Sequence, residues 1–268
     1  MTQTASGTEP VLLRWEEGIA WITLNRPDRL NAFAGSMRDD LHDALKAAGD
    51  SLETRVIVVT GAGRGFCTGA DVEVMAELLD RDDSDTFGRY VEAGMRVVHR
   101  VRSLRQPVIA AINGAAAGAG AALALACDLR LASSRASIGF TFNRIGLHPD
   151  WGTTYFLPRL VGAGRAGELV YSGRMVDAGE AERIGLFERV FEAEAFESEV
   201  RRVAREYAAK PPLALAAAKA TLARSFESDL EGMMAREEEA QLRCFRSADA
   251  REGIAAFREK RRPEFRGE

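Results

Sequence analysis

The chain has 268 residues, of which 46% are hydrophobic and 28% carry a charge. This composition is typical of a folded globular protein with one large domain or two small ones, and it excludes collagen, extended disorder and a membrane bundle. The 36 basic and 40 acidic side chains leave a net charge of −4, so no overall field attracts nucleic acid or an anionic membrane surface.

The first predicted elements are a β-hairpin and a helix. Residues 11–14 and 19–25 contain most of the β-forming side chains of this region and flank a Glu-Glu-Gly turn, which indicates two paired strands. A helix follows, with Ser36 as its expected N-cap. Its apolar residues recur at helical spacing and predict one buried face, formed by Met37, Leu41, Ala44, Leu45 and Ala48.

Three short apolar runs then alternate with helical patterns. We expect buried strands at residues 55–60, 108–113 and 129–132, helices at residues 71–79, 86–104 and 119–126, and an acidic loop at residues 80–85. This alternation predicts an α/β fold with a mostly parallel sheet covered by helices. Right-handed crossovers would place the loops after residues 60 and 113 at the carboxyl edge of the sheet, where ligands usually bind.

The last part of the chain is helical throughout. Amphipathic stretches lie near residues 195–209, 213–225, 229–246 and 249–260, and no strand pattern occurs among them. We therefore predict a core domain at residues 1–195 and a C-terminal helical region at residues 196–268, which caps the active site or joins subunits.

The cysteines and the N-terminus favour a cytoplasmic location. Cys67, Cys127 and Cys244 are odd in number and lack paired spacing, which argues against a disulfide framework or a zinc site. Residues 1–10 lack the basic and apolar parts of a secretion signal, and the longest apolar run, residues 115–127, is too short to span a bilayer. We expect no metal ion and no membrane partner.

Two glycine-rich segments are the strongest functional signal. Residues 61–71 (GAGRGFCTGAD) and 113–122 (NGAAAGAGAA) each follow a predicted buried strand and lead into a predicted helix. Such segments present unpaired backbone N–H groups and the positive end of a helix dipole, so two of them that meet would form an oxyanion hole. Neither fits the GxGxxG dinucleotide fingerprint or the GK[ST] ending of a P-loop. Tight turns without a ligand are the alternative interpretation.

Four ordered motifs resemble the crotonase (enoyl-CoA hydratase/isomerase) superfamily. They are NRPDRLNAF at residues 25–33, GAGRGFCTGAD at 61–71, NGAAAGAGAALALACD at 113–128 and GLHPDWGTTYFLPRLVG at 146–162. The similarity extends from about residue 11 to the end of the chain, including RSADAREGIAAFREKRRPEF at residues 246–265. The shared segments most resemble the phenylacetate-degradation enoyl-CoA isomerase branch.

The resemblance implies a fold, a substrate and an assembly. The fold would consist of repeated ββα units that form a core sheet covered by helices, together with a C-terminal helical region. The substrate would be an acyl-CoA thioester, with no cofactor beyond the coenzyme A that it carries, and the assembly a homotrimer or a dimer of trimers. The N–H groups of the family's oxyanion hole fall on Ala70 and Ala119. Alanine can donate there if its φ angle is not positive.

The chain departs from the family's hydratases at two positions. Hydratases add water with two glutamates, and the matching positions here hold Ala122 and Phe142, neither of which can transfer a proton. One acid remains near the fourth motif: Asp150 stands where some double-bond isomerases of the family carry a carboxylate. An apolar wall of Trp151, Phe140 and Phe142 should raise its pKa.

We therefore expect an enoyl-CoA isomerase that shifts a β,γ double bond, or performs an epoxide-to-oxepin rearrangement, with Asp150 as acid and base. The alternatives are water addition and an aroyl-CoA dehalogenase-like substitution with Asp150 as nucleophile. A catalytically silent acyl-CoA binder or an RNA-binding relative is a further alternative, against which the near-neutral charge and the presence of Asp150 argue. A helix N-cap is the structural alternative for Asp150.

Other residues match the family's substrate-binding stretches or flank the expected site. Arg29 and Lys260 are candidates for phosphate contacts, although solvated basic side chains explain them equally well. Asp71 is expected to act mainly as a helix N-cap that orders the first glycine segment. The remaining predicted contacts, for several of which core packing is the alternative, are Leu30, Ala32, Phe66, Val72, Met75, Ala122, Phe140, Phe142, Pro149 and Trp151. His148 is two residues from Asp150 and could orient it.

Overall fold

The computed structural model describes residues 9–268, so most of the segment in which we expected no secretion signal lies outside the described residues. The strands are β1 (Val11–Glu16), β2 (Ile19–Leu24), β3 (Val56–Gly61), β4 (Gly65–Cys67), β5 (Val108–Ile112), β6 (Ala115–Ala117), β7 (Leu129–Ser133), β8 (Ser137–Gly139), β9 (Met175–Asp177) and β10 (Arg189–Phe191). The helices are α1 (Met37–Asp50), α2 (Val72–Asp80), α3 (Ser84–Ser103), α4 (Ala119–Ala126), α5 (Thr153–Val161), α6 (Ala163–Ser172), α7 (Ala178–Arg183), α8 (Phe196–Ala208), α9 (Pro212–Leu222), α10 (Leu230–Phe245) and α11 (Ala248–Glu259).

The main sheet has six strands in the order β1-β2-β3-β5-β7-β10. Strands β1 and β2 form the predicted antiparallel hairpin, and its turn holds Glu17 and Gly18 at φ angles of 52° and 76°. Two residues of positive φ match the right-handed twist of paired strands. From β2 to β10 all neighbours run parallel, which confirms the predicted mostly parallel sheet.

A second sheet of three-residue strands has the order β4-β6-β8-β9. Strands β4, β6 and β8 follow β3, β5 and β7 along the chain, and α2 and α4 follow the first two pairs. This succession of two strands and a helix is the repeated ββα unit that the resemblance implied. It brings the glycine-rich segments side by side, because β4 pairs with β6 in parallel.

Helices cover both faces of the main sheet. One face packs against α1, α3 and α4, and the five predicted apolar residues of α1 are all buried there. The other face packs against α8, whose Phe196, Val200 and Val203 contact Trp21 and its neighbours on the sheet. Side chains of successive strand residues point to opposite faces, so each long strand contributes to both layers.

Several predicted details are wrong. The glycine-rich segments were expected as loops, but β4 and β6 lie within them, and β8, β9 and β10 were not predicted. Three-residue strands are too short to show alternation, and distant partners hold them in place. Ser36 does not cap α1, since its hydroxyl donates to Asp40 at 2.8 Å instead. The acidic loop is shorter than expected, because Asp83 caps α3 and the helix begins at Ser84.

Helix α4 is buried along its whole length. A Cβ atom on Gly120 would lie 2.0 Å from the backbone oxygen of Cys67 in β4. The helix therefore approaches the short sheet more closely than any side chain at that position allows. The alanine-rich sequence of α4 follows from this close approach.

The four C-terminal helices lie where the sequence predicts them, and no strand occurs between residues 196 and 268. Helix α8 belongs to the layer over the main sheet, whereas α9, α10 and α11 follow it. The division into domains at residues 1–195 and 196–268 stays a prediction. Between residues 9 and 268, no helix combines the length and the hydrophobicity that crossing a membrane requires.

The packing of α4 predicts a severe effect of Gly120→Ala. The added methyl group would collide with the backbone of β4, which cannot move without disturbing the short sheet. We expect a loss of about 2–3 kcal/mol in the free energy of unfolding, measured by urea denaturation. The control is Gly164→Ala in α6, where no atom lies within 4 Å of the new Cβ. Equal stabilities of the two variants would contradict the close packing.

Candidate active site

Two asparagines hold the first glycine-rich segment in shape. The Asn113 amide nitrogen donates to the carbonyl oxygens of Gly61, Gly63 and Gly65 at 2.9, 2.9 and 3.1 Å. The Asn31 amide nitrogen donates to Gly65 at 2.8 Å and is fully buried. These bonds satisfy carbonyl groups that a glycine turn leaves without strand partners. Sequence reasoning missed both roles, although each asparagine lies in a quoted motif.

The two glycine-rich segments meet at Gly69 and Gly118. A Cβ atom on Gly69 would lie 3.3 Å from the Ala119 nitrogen, and one on Gly118 would lie 3.9 Å from the Cα atom of Gly69. Both glycines have positive φ angles, of 89° and 51°. The backbones therefore come together in a conformation that side chains would block.

The N–H group of Ala70 points away from the strand-like segment beside it. Phe33 pairs with Ala70 as an isolated parallel bridge, in which Asp71 donates to the Phe33 oxygen at 3.1 Å. Successive N–H groups of an extended chain face opposite sides, so the Ala70 group faces away from Phe33. That is the side free to meet a ligand.

The Ala119 N–H is the first of α4 and has no partner within the helix. In residues 9–268, no backbone acceptor lies within hydrogen-bond reach of the Ala70 or Ala119 nitrogen. The φ angle of Ala119 is not positive, so alanine fits there without strain, as the sequence analysis required. Two unpaired donors beside a helix N-terminus can stabilise a negative oxygen.

The carboxylate of Asp71 is engaged in structural contacts. Its carboxylate accepts from the Glu73 nitrogen at 3.2 Å as the predicted N-cap of α2, and it forms an ion pair with Arg26 at 3.0 Å. Arg26 also donates to the Ala32 carbonyl at 2.5 Å. Asp71 therefore connects α2 to the segment at residues 25–33.

Asp150 lies between a 3₁₀ turn (Thr141–Ile145) and α5. Trp151 and Gly152 after it have φ angles of 49° and 77°, so the chain turns sharply at this point. Gly152 precedes α5, and no side chain caps that helix. The N-cap alternative for Asp150 is therefore wrong.

The carboxyl group of Asp150 is largely buried and has an unused acceptor. Its Oδ1 atom is shielded from solvent and has no hydrogen-bond partner among the described residues. Burial raises the pKa of Asp150 from 3.8 to about 6, and the charges of Arg38 and of the exposed His148 oppose this rise. The expected direction of the shift is confirmed. A carboxyl group with this pKa can gain and lose a proton near neutral pH.

Trp151, the residue after Asp150, packs against another aromatic ring. The Trp151 ring lies 4.9 Å from that of Phe33, centroid to centroid, and packs against Gly94 of α3. Phe33 and Trp151 are almost fully buried. Since Phe33 also pairs with Ala70, these contacts connect the segment of Asp150 to the first glycine-rich segment.

Arg38 is a buried charge that the sequence analysis missed. It is 5% exposed, and its guanidinium lies over the rings of Phe33 and Tyr90 at 5.3 and 4.7 Å. The helical periodicity of α1 did not indicate that Arg38 is buried, because the predicted buried face consists of apolar residues only.

The other predicted contacts fall into distinct environments. Phe66, Ala122 and Phe140 expose no surface, so core packing accounts for them, and Ala32, Phe142 and Trp151 are nearly buried. Leu30, Met75 and Pro149 are partly buried, whereas Val72 is 63% exposed. Arg29 is exposed and paired with Glu73, and Lys260 is exposed at the end of α11.

A cavity of about 1080 Å³ lies between α3, α5, α9 and α10. Trp151 is in its wall, but Ala70, Ala119 and Asp150 are not. The cavity is therefore separate from the meeting point of the glycine-rich segments. Among residues 9–268, no three His, Cys, Asp or Glu side chains are grouped as metal ligands.

Comparison with known proteins identifies the family. The family model described as "Enoyl-CoA hydratase/isomerase" matches residues 14–268. The chain belongs to the enoyl-CoA hydratase/isomerase family. A crystal structure of enoyl-CoA hydratase from Bacillus anthracis superposes with a TM-score of 0.93 and 35% identity, covering 97% of this chain and 100% of that one. Crotonase superfamily membership and the crotonase fold are thus confirmed.

The curated relatives carry both hydratase and isomerase names. A 1,2-epoxyphenylacetyl-CoA isomerase from Escherichia coli is 38% identical over 97% of this chain and 99% of its own length. A crotonyl-CoA hydratase from Syntrophomonas wolfei is 36% identical over 96% of this chain and 98% of its own length. Membership of the enoyl-CoA hydratase/isomerase family establishes an acyl-CoA enzyme, and the relatives' names leave the reaction open.

The contact between α3 and Trp151 predicts that Gly94→Ala impairs catalysis. A Cβ atom on Gly94 would lie 1.9 Å from the Trp151 indole nitrogen, so the ring, and with it the segment of Asp150, must shift. We expect kcat/KM to fall by about 10-fold to 100-fold. The control is Gly88→Ala on the same helix, where no atom lies within 4 Å of the new Cβ. Equal activity of the two variants would contradict this coupling.

The buried carboxyl group predicts that Asp150→Asn stabilises the protein at neutral pH. Because the pKa is about 6 in the folded protein and 3.8 ordinarily, the folded state holds the proton more tightly. Burying the ionised carboxylate therefore lowers the free energy of unfolding, and this cost has its full value above pH ~6. The cost disappears as the pH falls toward ~4.

We expect Asp150→Asn to raise the free energy of unfolding by about 2 kcal/mol at neutral pH, and by less at pH ~4.5. Urea denaturation at both pH values measures the difference. The exposed Asp85→Asn is the control and should show no such pH-dependent gain. Equal stability of wild type and Asp150→Asn at neutral pH would refute the burial cost.

Proposed function

We propose that this protein is an enoyl-CoA isomerase that moves a β,γ double bond into conjugation with the thioester. The observation that carries the proposal is the buried Oδ1 atom of Asp150, which has no hydrogen-bond partner among the described residues, together with the absence of an acid at positions 122 and 142. Water addition by the family's two glutamates has no equivalent in this chain. A shift of a double bond needs only one group that moves a proton between two carbons.

In the proposed mechanism, the N–H groups of Ala70 and Ala119 bind the thioester oxygen. The Asp150 carboxylate takes a proton from the carbon next to the thioester, and the resulting negative charge collects on the bound oxygen. In a comparable site, one such donor contributes about 10²-fold to 10³-fold to the rate. Asp150 then returns the proton to the γ-carbon, which leaves the double bond conjugated and the carboxylate restored.

The raised pKa of Asp150 suits both halves of this reaction. An ordinary aspartic acid would be too weak a base to accept the proton efficiently. Burial raises the pKa of Asp150 to about 6, while the charge of Arg38 keeps the group from becoming permanently protonated. No cofactor other than the coenzyme A of the substrate takes part in the proposed reaction.

A rearrangement of an epoxide-bearing acyl-CoA on the same site is the second candidate. It is favoured by the 38% identity to a relative named 1,2-epoxyphenylacetyl-CoA isomerase. The phenylacetate-degradation branch therefore remains our preferred placement of this chain.

We propose that the chain works in the cytoplasm as a homotrimer or a dimer of trimers. Helices α9, α10 and α11 and the segments around them expose large apolar side chains that water does not favour: Leu222, Phe226, Leu230, Met234, Leu242, Phe245, Ile254 and Phe257. A neighbouring subunit would cover them, and light scattering measures the mass directly. Lys260 would then stand near a subunit boundary, where contact with the phosphates of coenzyme A remains our expectation.

Incubation with a β,γ-enoyl-CoA in deuterated water tests the reaction. We expect the α,β-enoyl-CoA as product, with deuterium incorporated by exchange at Asp150, and a loss of about 10²-fold to 10⁴-fold in kcat for Asp150→Asn. Asp85→Asn is the control and should retain full activity. A hydroxyacyl-CoA product would indicate water addition. Release of an aryl substituent with a covalent Asp150 adduct would indicate substitution.

The pH dependence of the rate provides a separate check. Because the base must be ionised and the pKa of Asp150 is about 6, kcat/KM should fall about tenfold per pH unit below pH ~6 and level off above it. Steady-state rates between pH ~5 and ~8 measure the profile. A flat profile across this range would contradict Asp150 as the base.

A further inference from the structure

Thr153 places a hydroxyl group in the interior without a partner. The side chain exposes no surface, and its Oγ1 atom is shielded from solvent and has no hydrogen-bond partner between residues 9 and 268. A helical threonine often donates to a backbone carbonyl three or four residues earlier, but Thr153, the first residue of α5, makes no such bond. An unpaired buried hydroxyl lowers the stability of a fold, so packing alone does not explain it.

A tight turn brings Thr153 close to Asp150. The Thr153 nitrogen donates to the Asp150 carbonyl oxygen at 2.9 Å, and the two residues between them have φ angles of 49° and 77°. Two positive φ angles are typical of a type I′ turn, whose first and last Cα atoms lie within about 7 Å of each other. The Thr153 hydroxyl and the Asp150 Oδ1 atom, both unpartnered in the described chain, therefore belong to the two ends of one turn.

The turn is held in a strained conformation. Trp151, its second residue, has a φ angle of 49°, which a bulky side chain seldom adopts. Its ring is nearly buried and lies 4.9 Å from that of Phe33, so packing holds the residue in this conformation. Strain of this kind is found mainly where function requires a fixed geometry. The core therefore fixes how Asp150 and Thr153 lie relative to each other.

The charged neighbours of Asp150 act on it without bonding to it. Arg38 of α1 and His148 of the same segment are the charged groups whose fields reach its carboxyl group, and no ion pair joins either of them to Asp150 within residues 9–268. The Arg38 guanidinium is stacked on two aromatic rings, whereas a threonine hydroxyl is free to rotate. The Thr153 hydroxyl is thus a donor that can turn toward the carboxylate.

We propose that Thr153 is a positioning residue whose hydroxyl donates a hydrogen bond to the Oδ1 atom of ionised Asp150 when an acyl-CoA occupies the site. The inference rests on the proposed function, since it takes Asp150 to be the group that moves the proton. Hydrogen bonds of this kind are often open in the free protein and close in the substrate complex. We expect a change of the threonine rotamer to close this one.

The bond gives the two carboxylate oxygens different tasks. While Oδ1 accepts from Thr153, the Oδ2 atom takes the proton from the carbon next to the thioester and returns it to the γ-carbon. The hydroxyl proton stays on Thr153, so the cycle neither gains nor loses a proton. Because the bond favours the ionised carboxylate, it opposes the rise that burial causes in the pKa of Asp150.

Thr153→Val tests this role, because valine keeps the branched shape and lacks the hydroxyl. The matched control is Thr154→Val, which removes the exposed hydroxyl of the next residue. We expect kcat of Thr153→Val to fall about tenfold at pH ~6 with KM little changed. The midpoint of the pH profile of kcat, which reports the substrate complex, should rise by about one pH unit. Thr153→Ser should restore both quantities, and Thr154→Val should match the wild type.

A purely structural role of Thr153 would give a different result. Removing a hydroxyl that is unpaired in the free protein should not lower the melting temperature of Thr153→Val. An unchanged midpoint of the pH profile would overturn the inference, whether kcat falls equally at every pH or stays at the wild-type rate. Thr153→Ala provides the same comparison if Thr153→Val does not fold.

The ionisation of Asp150 can also be followed without turnover. Carbon-13 NMR of labelled aspartate carboxyl groups, with the saturated butyryl-CoA bound, gives the pKa of Asp150, whose signal is the one missing in Asp150→Asn. We expect this pKa to be higher by about 1 in Thr153→Val than in the wild type or Thr154→Val. If the pKa rises but no double bond is moved, the proposed isomerisation fails and the assignment of Thr153 stands. If the double bond is moved and the pKa is the same in all three proteins, the reverse is true.

Discussion

The close approach of two stretches of backbone is the constraint on which the rest of the site depends. Gly69 lies so near the start of α4 that a Cβ atom there would stand 3.0 Å from the Ala117 oxygen and 3.3 Å from the Ala119 nitrogen. Only backbone fits between them. The pairing of β4 with β6 brings the two segments to this distance, and the buried amide of Asn31 holds the first of them in place. The geometry of the donors therefore follows from the second, smaller sheet.

The charged groups near this point are held at a cost to stability. Arg38 is buried and Asp150 is partly buried, and each has shielded hydrogen-bonding atoms without a partner among the described residues. By contrast, the buried Lys219 is fully paired, with Asp128 at 2.7 Å and two backbone carbonyls. The core tolerates buried charge elsewhere by completing its hydrogen bonds. Asp150 precedes Trp151 in the chain, and Arg38 lies over Phe33, which packs against Trp151, so these two charges share one neighbourhood. Incompletely paired charges at one place are expected of a site that a ligand completes.

Elements with a long periodic pattern could be predicted from the sequence, whereas those held by distant partners could not. The hairpin, α1 and the C-terminal helices show their periods over many residues, so their bounds came out within a few positions. The short sheet has strands of three residues whose partners lie far along the chain. For the site, the motifs pointed to Ala70, Ala119 and Asp150, whose roles stay predictions. The motifs did not indicate that Arg38 is buried. The burial of a side chain at the start of a helix depends on which aromatic rings pack around that side chain.

The hydrogen bonds of Asn113 concentrate much of the support of the first glycine-rich segment on one side chain. The amide nitrogen serves three carbonyl oxygens, and the amide oxygen accepts from the Gly61 nitrogen at 3.2 Å. Hydrolysis of this amide would produce an aspartate of almost the same size, with an oxygen facing three others. Asn113 precedes a glycine, and asparagine is among the thermolabile residues. Chemical ageing at this one position would thus leave the segment with the hydrogen bonds of Asn31 alone, while every other residue stayed intact.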